Sequence, residues 1–379
     1  MRCLFLAPLK SPDHPTPSGE RTMARLFVKL LENIGYQVEL ASHLRSFVPD
    51  PDTADWHALR EDAAAEIERL LAGATDRPAA CVFTYHVYYK APDLIGPALA
   101  ARLGVPYVIA EPSRAPKRAV GRFAEGHALA EHAIDAARLL LTPTAADREM
   151  LDRLKPPGQL VADLKPFINL REWPDAPRRR VSAMGAPVRS VRPVRLVSVA
   201  MMRDGDKLAS YRQLAAALEM LRVEDWTLDI VGDGPARGAV EAAFAPLGER
   251  VTFHGALTDR AALGACLSGS DIFVWPGVNE AFGVVYLEAQ ARGLACVAGA
   301  YGGISDTMQV GRTGLLTPTG DVPAFAEAVR GLIIDTRKRQ LMGADAARFI
   351  AEERDLPVAA ATLLRAFAEA GIALPETDH

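Results

Sequence analysis

The chain of 379 residues is long enough for two domains with full cores, and 49% hydrophobic against 24% charged residues excludes disorder as its main state. A formal net charge of -4 and a pI near 6.1 argue against a general nucleic-acid binder, whose surface is basic. The four cysteines lie far apart without a C-x-x-C spacing, so we expect reduced, buried thiols. No run approaches the roughly 18 apolar residues of a transmembrane helix, which predicts a cytoplasmic protein that is soluble or peripheral to the membrane.

The first half of the chain predicts alternating strands and helices. Strands are expected at 4–7, 37–41, 80–85, 105–110 and 139–143, with an amphipathic helix ending at Gly35 and a second helix at 145–154. This alternation is typical of a parallel sheet, in which ligands bind outside the carboxyl ends of the strands. Gly19, His86 and Glu111 are therefore predicted to converge on one crevice, although a structural role for His86 or Glu111 stays open.

A basic stretch follows the fourth predicted strand. It carries four positive charges within nine residues, namely Arg114, Lys117, Arg118 and Arg122. Two interpretations stay open: a solvated loop, or a patch that meets acidic lipid headgroups or a phosphorylated acceptor.

The second half repeats the opening architecture after a stretch rich in proline and arginine. A strand at 195–200, a loop, a helix at 211–221 and a strand at 227–231 follow one another. The sequence therefore predicts two doubly wound domains that face each other across a ligand-binding cleft. The expected bounds are 1–170 for the first domain, 171–194 for a linker and 195–356 for the second domain, with a last helix at 357–375 packing back on the first.

Glycines follow several strands of the second half. Gly232-Asp233-Gly234-Pro235 closes the strand at 227–231, but the third glycine of a dinucleotide fingerprint is absent, which disfavours a dehydrogenase. His254 ends the next predicted strand at 251–254, and the glycines of the loop at 299–303, after a strand at 294–298, are expected to allow a ligand close to the backbone. A strand at 314–318 completes the predicted sheet.

The segment 279–289 places Glu280 and Glu288 eight positions apart around an aromatic-glycine turn. Glu280 falls in a loop that opens a helix predicted from about Gly283 to Gly293. The free backbone N-H groups of Phe282, Gly283 and Val284 are then a seat for phosphate or sugar oxygens. The simpler alternative is a capping Glu280 and a solvated Glu288.

The second half resembles the retaining, family 4 glycosyltransferases of the GT-B fold, also called glycosyl transferases group 1. Five pieces in the family's order and spacing carry this resemblance: Ile230-Val231-Gly232-Asp233-Gly234-Pro235, Phe253-His254-Gly255, Asp271-Ile272-Phe273-Val274, Glu280-Ala281-Phe282-Gly283 with Glu288-Ala289, and Gly311-Arg312-Thr313-Gly314-Leu315. The first half is similar more loosely, through Ser18-Gly19-Glu20 and Gly35-Tyr36-Gln37-Val38. The resemblance implies two Rossmann-like domains.

The resemblance also implies roles for single residues. In the family the E-x7-E pair grips the donor, so Glu280 would contact the transferred sugar and Glu288 the ribose. In the family a Lys and an Arg also hold the diphosphate. The Lys role falls to Lys207, which is expected in a loop. Met201 stands where the family commonly has the Arg, so that role falls to Arg203. The implied donor-binding set also includes Gly19, Gly232, Gly234, His254, Phe282, Gly283 and Val284. Glu111 lies near the place where many members carry an acceptor-side His.

The expected activity is transfer of a hexose, with retention, from a UDP- or GDP-linked sugar to a glycan or lipid-linked acceptor of the cell envelope or an exopolysaccharide. No cofactor and no metal are expected, although Asp204-Gly205-Asp206 matches the D-x-D of metal-dependent transferases of another fold. Two alternatives stay open: a non-catalytic nucleotide-sugar-binding partner protein, in which Met201 marks a decayed site, and an epimerase or phosphorylase of the same fold.

Overall fold

The structure is a computed structural model that describes residues 1–16, 18–73, 78–173 and 192–375. The chain divides into two compact units, Met1–Lys165 with Leu356–His379 and Pro166–Asp355. Each unit is described by itself. Residues 174–191, most of the predicted linker, lie outside the described part of the chain.

The first unit contains a parallel sheet of six strands in the order β2-β1-β3-β4-β5-β6. The strands are β1 Arg2–Leu6, β2 Gln37–Leu40, β3 Ala79–Val87, β4 Tyr107–Pro112, β5 Leu139–Thr142 and β6 Leu160–Asp163. Because β2 lies on one side of β1 and all later strands on the other, the strand order reverses between β1 and β3. Open parallel sheets bind ligands at the carboxyl edge of such a reversal.

Helices α1 Gly19–Asn33, α2 Trp56–Ala72, α3 Gly96–Leu103, α4 Ala124–Ala136 and α5 Ala145–Leu154 connect these strands. The side chain of Ser18 caps α1 by accepting a hydrogen bond from the backbone N-H of Arg21 at 3.2 Å. The face of α1 that was predicted to be apolar is buried. Helices α2 to α4 and strand β6 were not predicted.

The second unit contains another parallel sheet of six strands, in the order β12-β11-β10-β7-β8-β9. Its strands are β7 Val194–Val199, β8 Trp226–Val231, β9 Val251–Gly255, β10 Ile272–Trp275, β11 Ala295–Gly299 and β12 Gly314–Thr317. Its helices are α6 Asp206–Glu219, α7 Arg237–Phe244, α8 Arg260–Gly269, α9 Val284–Ala291, α10 Val322–Ile334 and α11 Thr336–Phe349. The strand order reverses between β7 and β10. Two doubly wound α/β sheets confirm the predicted fold class.

The C-terminal helix α12, Leu356–Ala370, belongs to the first unit. Its Phe367 ring lies edge-on to Tyr36 with centroids 6.0 Å apart, and the Arg138 guanidinium donates to the carbonyl of Ala370 at 3.1 Å. The Tyr36 hydroxyl donates to the carbonyl of Ala373 just beyond the helix. These contacts join the two ends of the chain in one core.

Candidate active site

Two candidate residues meet at the reversal of strand order in the second unit. Lys207 follows β7 and Glu280 follows β10, which are paired neighbours in the sheet. Their side chains form an ion pair between Nζ and Oε2. Lys207 is 25% exposed and Glu280 is 20% exposed, so both groups remain open to a ligand from one side.

Lys207 lies in the first turn of α6, and the prediction that it lies in a loop is wrong. The helix begins at Asp206, before the predicted residue 211, because Gly205 turns the chain into it with a φ of 77°. Lys207 Nζ also lies 5.7 Å from the centroid of the Trp275 ring. A helix start and an aromatic face therefore fix the position of this ammonium group.

The loop that carries Glu280 is held in an unusual backbone path. Gly277, Asn279 and Gly283 have φ values of 70°, 50° and 74°, and left-handed conformations disfavour most side chains. The loop is tied to α6 by two hydrogen bonds: the N-H of Val278 donates to Ser210 Oγ, and Asn279 Nδ2 donates to Asp206 Oδ1, both at 2.9 Å. The helix that positions Lys207 thus also positions Glu280.

The glycine loop after β11 supports the backbone of Glu280. A Cβ on Gly302 would lie 2.1 Å from the carbonyl oxygen of Glu280, and the N-H of Gly303 donates to the carbonyl of Ala281 at 2.5 Å. These glycines therefore allow the loop to lie close to the backbone of Glu280 and Ala281. This packing accounts for the glycines without the predicted contact between a ligand and the loop.

The start of α9 leaves backbone donors available. Helix α9 begins at Val284, and Gly283 precedes it without a side-chain cap. Among the described residues, the N-H groups of Phe282, Gly283 and Val284 donate no hydrogen bond to a carbonyl or a side chain. Such groups at a helix start are able to bind anionic or sugar oxygens, and the use predicted for them stays a prediction.

Glu288 lies on α9 and is partly buried. Burial raises the pKa of its carboxyl to about 7, and the Arg260 guanidinium opposes this rise. A carboxyl with such a pKa exchanges its proton near neutral pH, so its hydrogen-bonding role changes there. Its contact with a ribose stays a prediction.

His254 and Arg203 differ in how firmly they are held. His254 Nε2 lies 2.7 Å from Asp229 Oδ1, so one ring nitrogen is already engaged by a neighbouring strand. Arg203 is exposed on the loop after β7, and its guanidinium forms no ion pair with a residue that the structure describes. The Arg203 guanidinium is therefore accessible to a ligand, whereas His254 has only Nδ1 to offer.

Gly232 and Gly234 have a packing role. A Cβ on Gly232 would lie 1.9 Å from the carbonyl oxygen of Ala200, and one on Gly234 would lie 2.3 Å from that of Met202. The N-H of Gly232 donates to the carbonyl of Gly255, and that of Gly234 to Asp233 Oδ1, each at 2.8 Å. These glycines let the turn after β8 support the loop before Lys207, and donor contact by them stays a prediction.

The acceptor-side candidates of the first unit also lie together. The register of β3 and β4 pairs Tyr85 with Ala110 and Val87 with Pro112, so His86 and Glu111 stand side by side. His86 Nδ1 lies 2.8 Å from Glu20 Oε2, and the Tyr85 hydroxyl donates to the same oxygen at 3.1 Å. Sequence reasoning missed Glu20, whose partner is 66 positions away.

Gly19, the remaining predicted donor residue, opens α1 directly before Glu20. A Cβ added there would meet nothing within 4 Å, so packing within the chain does not require a glycine at this position. Close approach of a ligand would require one, but this contact stays a prediction.

The basic stretch 114–122 is not one continuous patch. Arg114 has only 2% of its side chain exposed and pairs with Glu131 and with Asp135, the latter at 2.5 Å, so its predicted place in a membrane-facing patch is wrong. Arg122 pairs with Asp50 and Asp52, both at 2.6 Å. Of the four cations only Lys117 and Arg118 are left, and Arg118 stacks on the Tyr89 and Phe123 rings.

Three further features concern the described residues as a whole. None of their helices is both long and apolar enough to cross a membrane. No group of three or more His, Cys, Asp or Glu side chains that could hold a metal ion occurs among them. All four cysteines are free thiols, and all except Cys266 are buried.

Several curated proteins that are similar in sequence to this chain are named as glycosyltransferases. The chain is 36% identical to the sulfoquinovosyl transferase SQD2 of Arabidopsis thaliana over 139 residues, which cover 36% of this chain and 26% of that protein. It is 29% identical to the alpha-D-kanosaminyltransferase of Streptomyces kanamyceticus over 257 residues, 67% of this chain and 64% of that one. Both matches span less than two thirds of the relative. A D-inositol 3-phosphate glycosyltransferase of Kineococcus radiotolerans is 27% identical over 90% of this chain and 88% of its own.

Solved structures match nearly the whole chain. The sucrose-phosphate synthase of Thermosynechococcus elongatus superposes with a TM-score of 0.71 at 19% identity, covering 97% of this chain and 99% of that one. Anabaena Alr3699/HepE, solved in complex with UDP, superposes with a TM-score of 0.69 at 16% identity, covering 97% and 100%. These similarities confirm the GT-B fold.

The family model described as "Glycosyl transferases group 1" matches residues 194–335. This range contains both members of the Lys207–Glu280 pair, the start of α9 and Glu288. Residues 194–335 are therefore similar to the glycosyl transferases group 1 domain, in a chain of the GT-B fold.

Proposed function

We propose that this protein is a retaining glycosyltransferase that moves a hexose from a UDP- or GDP-linked sugar to a glycan or lipid-linked acceptor in cell-envelope or exopolysaccharide synthesis. One observation carries the proposal: Lys207 and Glu280 pair at the reversal point of the second sheet, beside unused N-H groups at the start of α9. A nucleotide diphosphate sugar presents a matching set of groups, a diphosphate for the cation and N-H donors and sugar hydroxyls for the carboxylate.

The proposed chemistry follows from charge. Breaking the bond between the anomeric carbon and the diphosphate places new negative charge on the leaving oxygen. A fixed ammonium group and helix N-H donors lower that barrier, because they are oriented before the charge develops. Lys207 and Arg203 supply the cations in this proposal, and the N-H groups of Phe282, Gly283 and Val284 supply the donors.

The Lys207–Glu280 pair must change partners when the donor binds. The Lys207 ammonium turns from the carboxylate to the diphosphate, and Glu280 is then free to accept hydrogen bonds from sugar hydroxyls. Both side chains keep a charged or polar partner throughout, so neither charge is left buried alone. Glu288 accepts from the ribose, and no side chain is assigned as a nucleophile.

The similar proteins support this reading. Their names describe sulfoquinovosyl, kanosaminyl and inositol phosphate glycosyl transfer, and HepE was solved with UDP. Among these relatives the sugar and the acceptor differ, so the proposal names only the class of each. Metal independence belongs to the proposal as well, with the Lys207 and Arg203 cations in the place of a metal.

The test is a thermal-shift panel of UDP, GDP, ADP and their sugars with purified protein, in EDTA and then in Mg²⁺. A ligand at about 100 times its Kd adds about 2.7 kcal/mol of stability, which such a panel detects. Stabilisation by the UDP or GDP compounds in EDTA, followed by release of the nucleotide as the sugar passes to an added glycan or lipid-linked acceptor or to water, supports a metal-independent transferase. Stabilisation without release supports the non-catalytic partner, and dependence on free phosphate a phosphorylase. No shift with any nucleotide overturns the proposal.

We also propose that the protein meets the cytoplasmic face of an anionic membrane through Lys117 and Arg118. The proposal is limited to these two cations because Arg114 and Arg122 are paired within the chain. The exposed Val120, between Arg118 and Arg122, adds apolar surface to the same loop. Cosedimentation with phosphatidylglycerol vesicles, compared with phosphatidylcholine vesicles, tests it: Lys117→Ala and Arg118→Ala together should abolish binding, and equal binding to both vesicles contradicts it.

A further inference from the structure

Three polar side chains of the first unit meet where the strand order reverses. Glu20 lies in the first turn of α1, which follows β1, while His86 and Glu111 lie near the carboxyl ends of β3 and β4. Glu20 Oε2 lies 2.8 Å from His86 Nδ1 and accepts a hydrogen bond from the Tyr85 hydroxyl at 3.1 Å. Because Nδ1 faces a carboxylate, Nε2 is the ring nitrogen that is left for another partner.

The backbone at this place adopts a conformation that disfavours residues with side chains. His86 has a φ of 60° and Glu111 a φ of 55°, and only one other non-glycine residue of the described chain, Asn279, has a positive φ. Asn279 lies in the Glu280 loop of the other candidate site. Left-handed conformations in non-glycine residues are unfavourable and cluster at binding and catalytic sites.

Glu111 has an unused polar atom in this cluster. The residue is 8% exposed, and its Oε1 is buried without a hydrogen-bond partner among the described residues. A buried carboxyl oxygen without a partner is costly, and native proteins rarely keep one unless a ligand or water satisfies it. Glu111 also interacts with His86, Glu20 and Asp147, so this atom belongs to the same cluster.

The protonation states make the cluster a source of hydrogen-bond donors near neutral pH. Burial lowers the pKa of His86, but the Glu20 carboxylate raises it by more, to about 9. Burial raises the pKa of Glu111 to about 8, and the His86 charge opposes this rise. Both groups therefore carry a proton at pH 7, while burial raises the pKa of Glu20 but His86 lowers it by more, below its usual value.

The charges around the cluster disfavour a phosphate group. Glu20 and Asp147 face it with negative charge from α1 and α5, and among the described residues no arginine acts on His86 or Glu111. The nearest cations are engaged elsewhere: Lys10 contacts the carbonyl of Thr16 at 3.4 Å, and Arg45 donates to the carbonyl of Leu9 at 2.9 Å. Sites that bind phosphate contain clustered cations. Sites that bind sugar hydroxyls contain both hydrogen-bond donors and acceptors.

We propose that Glu20, His86 and Glu111 form an acceptor subsite that binds hydroxyl groups of an unphosphorylated sugar or polyol, with Glu20 as the positioning residue for His86. The assignment deepens the proposed glycosyl transfer and rests on it. His86 Nε2 and Glu111 Oε1 contact the hydroxyls, and Glu20 fixes the ring that presents Nε2.

The test follows the histidine ring resonances of the full-length protein by NMR, with His86 assigned through His86→Gln. Methyl α-D-glucopyranoside and D-glucose 6-phosphate serve as probes. We expect the glucoside to shift the His86 resonances, and the phosphate to bind at least about tenfold more weakly, a difference of about 1.4 kcal/mol. His57 is the internal control, because it forms an exposed pair with Glu61 at 3.3 Å and should not respond. A His86 response to the phosphate alone, or to neither probe, overturns the proposal.

Two variants separate positioning from contact. Glu20→Gln should move the His86 pKa from about 9 toward the usual value near 6.5 and weaken the glucoside response at least about tenfold. Glu111→Gln should weaken the response but leave a high His86 pKa. Unchanged glucoside binding in both variants contradicts the assignment. Stabilisation by UDP or GDP should persist in both; if wild-type protein lacks it, the glycosyl transfer proposal fails instead.

Discussion

Lys207 and Glu280 are 73 positions apart in sequence, yet their charged ends pair where the second sheet reverses its strand order. Glu20 and His86 hold the equivalent place in the first sheet, since Glu20 follows β1 and His86 lies near the carboxyl end of β3. In open parallel sheets the connections that follow the two strands at such a reversal cross to opposite faces, which leaves a crevice at the carboxyl edge. Each doubly wound unit thus builds a charged pair by the same topological device.

Removing the Lys207 ammonium should lower turnover strongly without unfolding the protein. We expect Lys207→Ala to lower kcat with a nucleotide sugar by about 10² to 10³, because the charge on the leaving diphosphate loses its cation. Measurement of kcat with the UDP- or GDP-sugar that stabilises the protein checks this expectation.

Lys338→Ala is the matched control for that substitution. Lys338 is an exposed lysine in the first turn of α11, in the same unit, and its loss removes an equal charge. Activity that falls equally in both variants, or in neither, would contradict the role of Lys207. The melting temperature of each variant separates lost activity from lost fold.

Sequence patterns predicted elements well where the signal was local. Helix α5 was predicted with its observed bounds because Thr144 caps it, accepting from the N-H of Asp147, and a short apolar face follows. The start of α6 was missed because its first turn, from Asp206 on, is polar and begins after a left-handed glycine. Alanine-rich α4 was also missed, since small side chains give little contrast between its faces.

The long-range pairs could not be predicted from spacing. The motif around Glu280 and Glu288 indicated a site, but no pattern shows that Lys207 is the partner of Glu280. Arg114 shows the opposite case, in which a local pattern predicted an exposed patch that the structure does not contain. Helix α4 supplies the carboxylates of Glu131 and Asp135, which pair with this buried arginine. Partner choice depends on tertiary placement, which periodicity does not encode.

A methyl group at Gly302 should displace the Glu280 loop. In Gly302→Ala the new Cβ would stand 2.1 Å from the carbonyl oxygen of Glu280, at a φ of 49°. We expect a loss of stability of about 1 to 3 kcal/mol and a fall in turnover larger than the stability loss explains. Denaturant unfolding and kcat on the same samples measure both effects.

Gly331→Ala provides the opposite case. Gly331 lies inside α10, and a Cβ there would meet nothing within 4 Å. This substitution should stabilise the protein by up to about 1 kcal/mol, because alanine favours a helix over glycine. A stabilising or neutral Gly302→Ala would show that the loop has room to move and that the close approach to Glu280 is unimportant.

Stability should fall as the pH rises from about 5 to 9. Burial raises the folded pKa of Glu111 to about 8, so the folded state holds a proton there that the unfolded state releases above about 4.5. The Glu20 carboxylate, opposed by burial, raises the pKa of His86 to about 9, so its contribution is full below about 6.5 and lost as the pH passes 9. Glu111 and His86 both make the protein less stable as the pH rises, because in each pH range the folded state binds more protons than the unfolded state.

Glu111→Gln should remove the part of this pH dependence that falls between about pH 4.5 and pH 8, where Glu111 loses its proton. We expect the variant to gain stability relative to the wild type between pH 5 and pH 8.5, since glutamine has no proton to lose. Urea unfolding at both pH values, with Glu61→Gln as an exposed control, measures the difference. The same stability difference at the two pH values would refute the buried, protonated state of Glu111.

Donor affinity should rise as the pH passes about 7 if Glu288 binds the ribose. Burial raises its pKa to about 7, and the ionised carboxylate accepts hydrogen bonds from hydroxyls more strongly than the neutral acid. The probe should be the intact UDP- or GDP-sugar, whose diphosphate has no terminal phosphate to titrate in this range. We expect Kd, measured by calorimetry, to fall as the pH rises from 6 toward the pKa of Glu288, by at most about tenfold per pH unit. Above that pKa, up to pH 8, Kd should level off. Glu288→Gln should bind weakly with a flat profile, whereas a steep profile in that variant would assign the titration to another group.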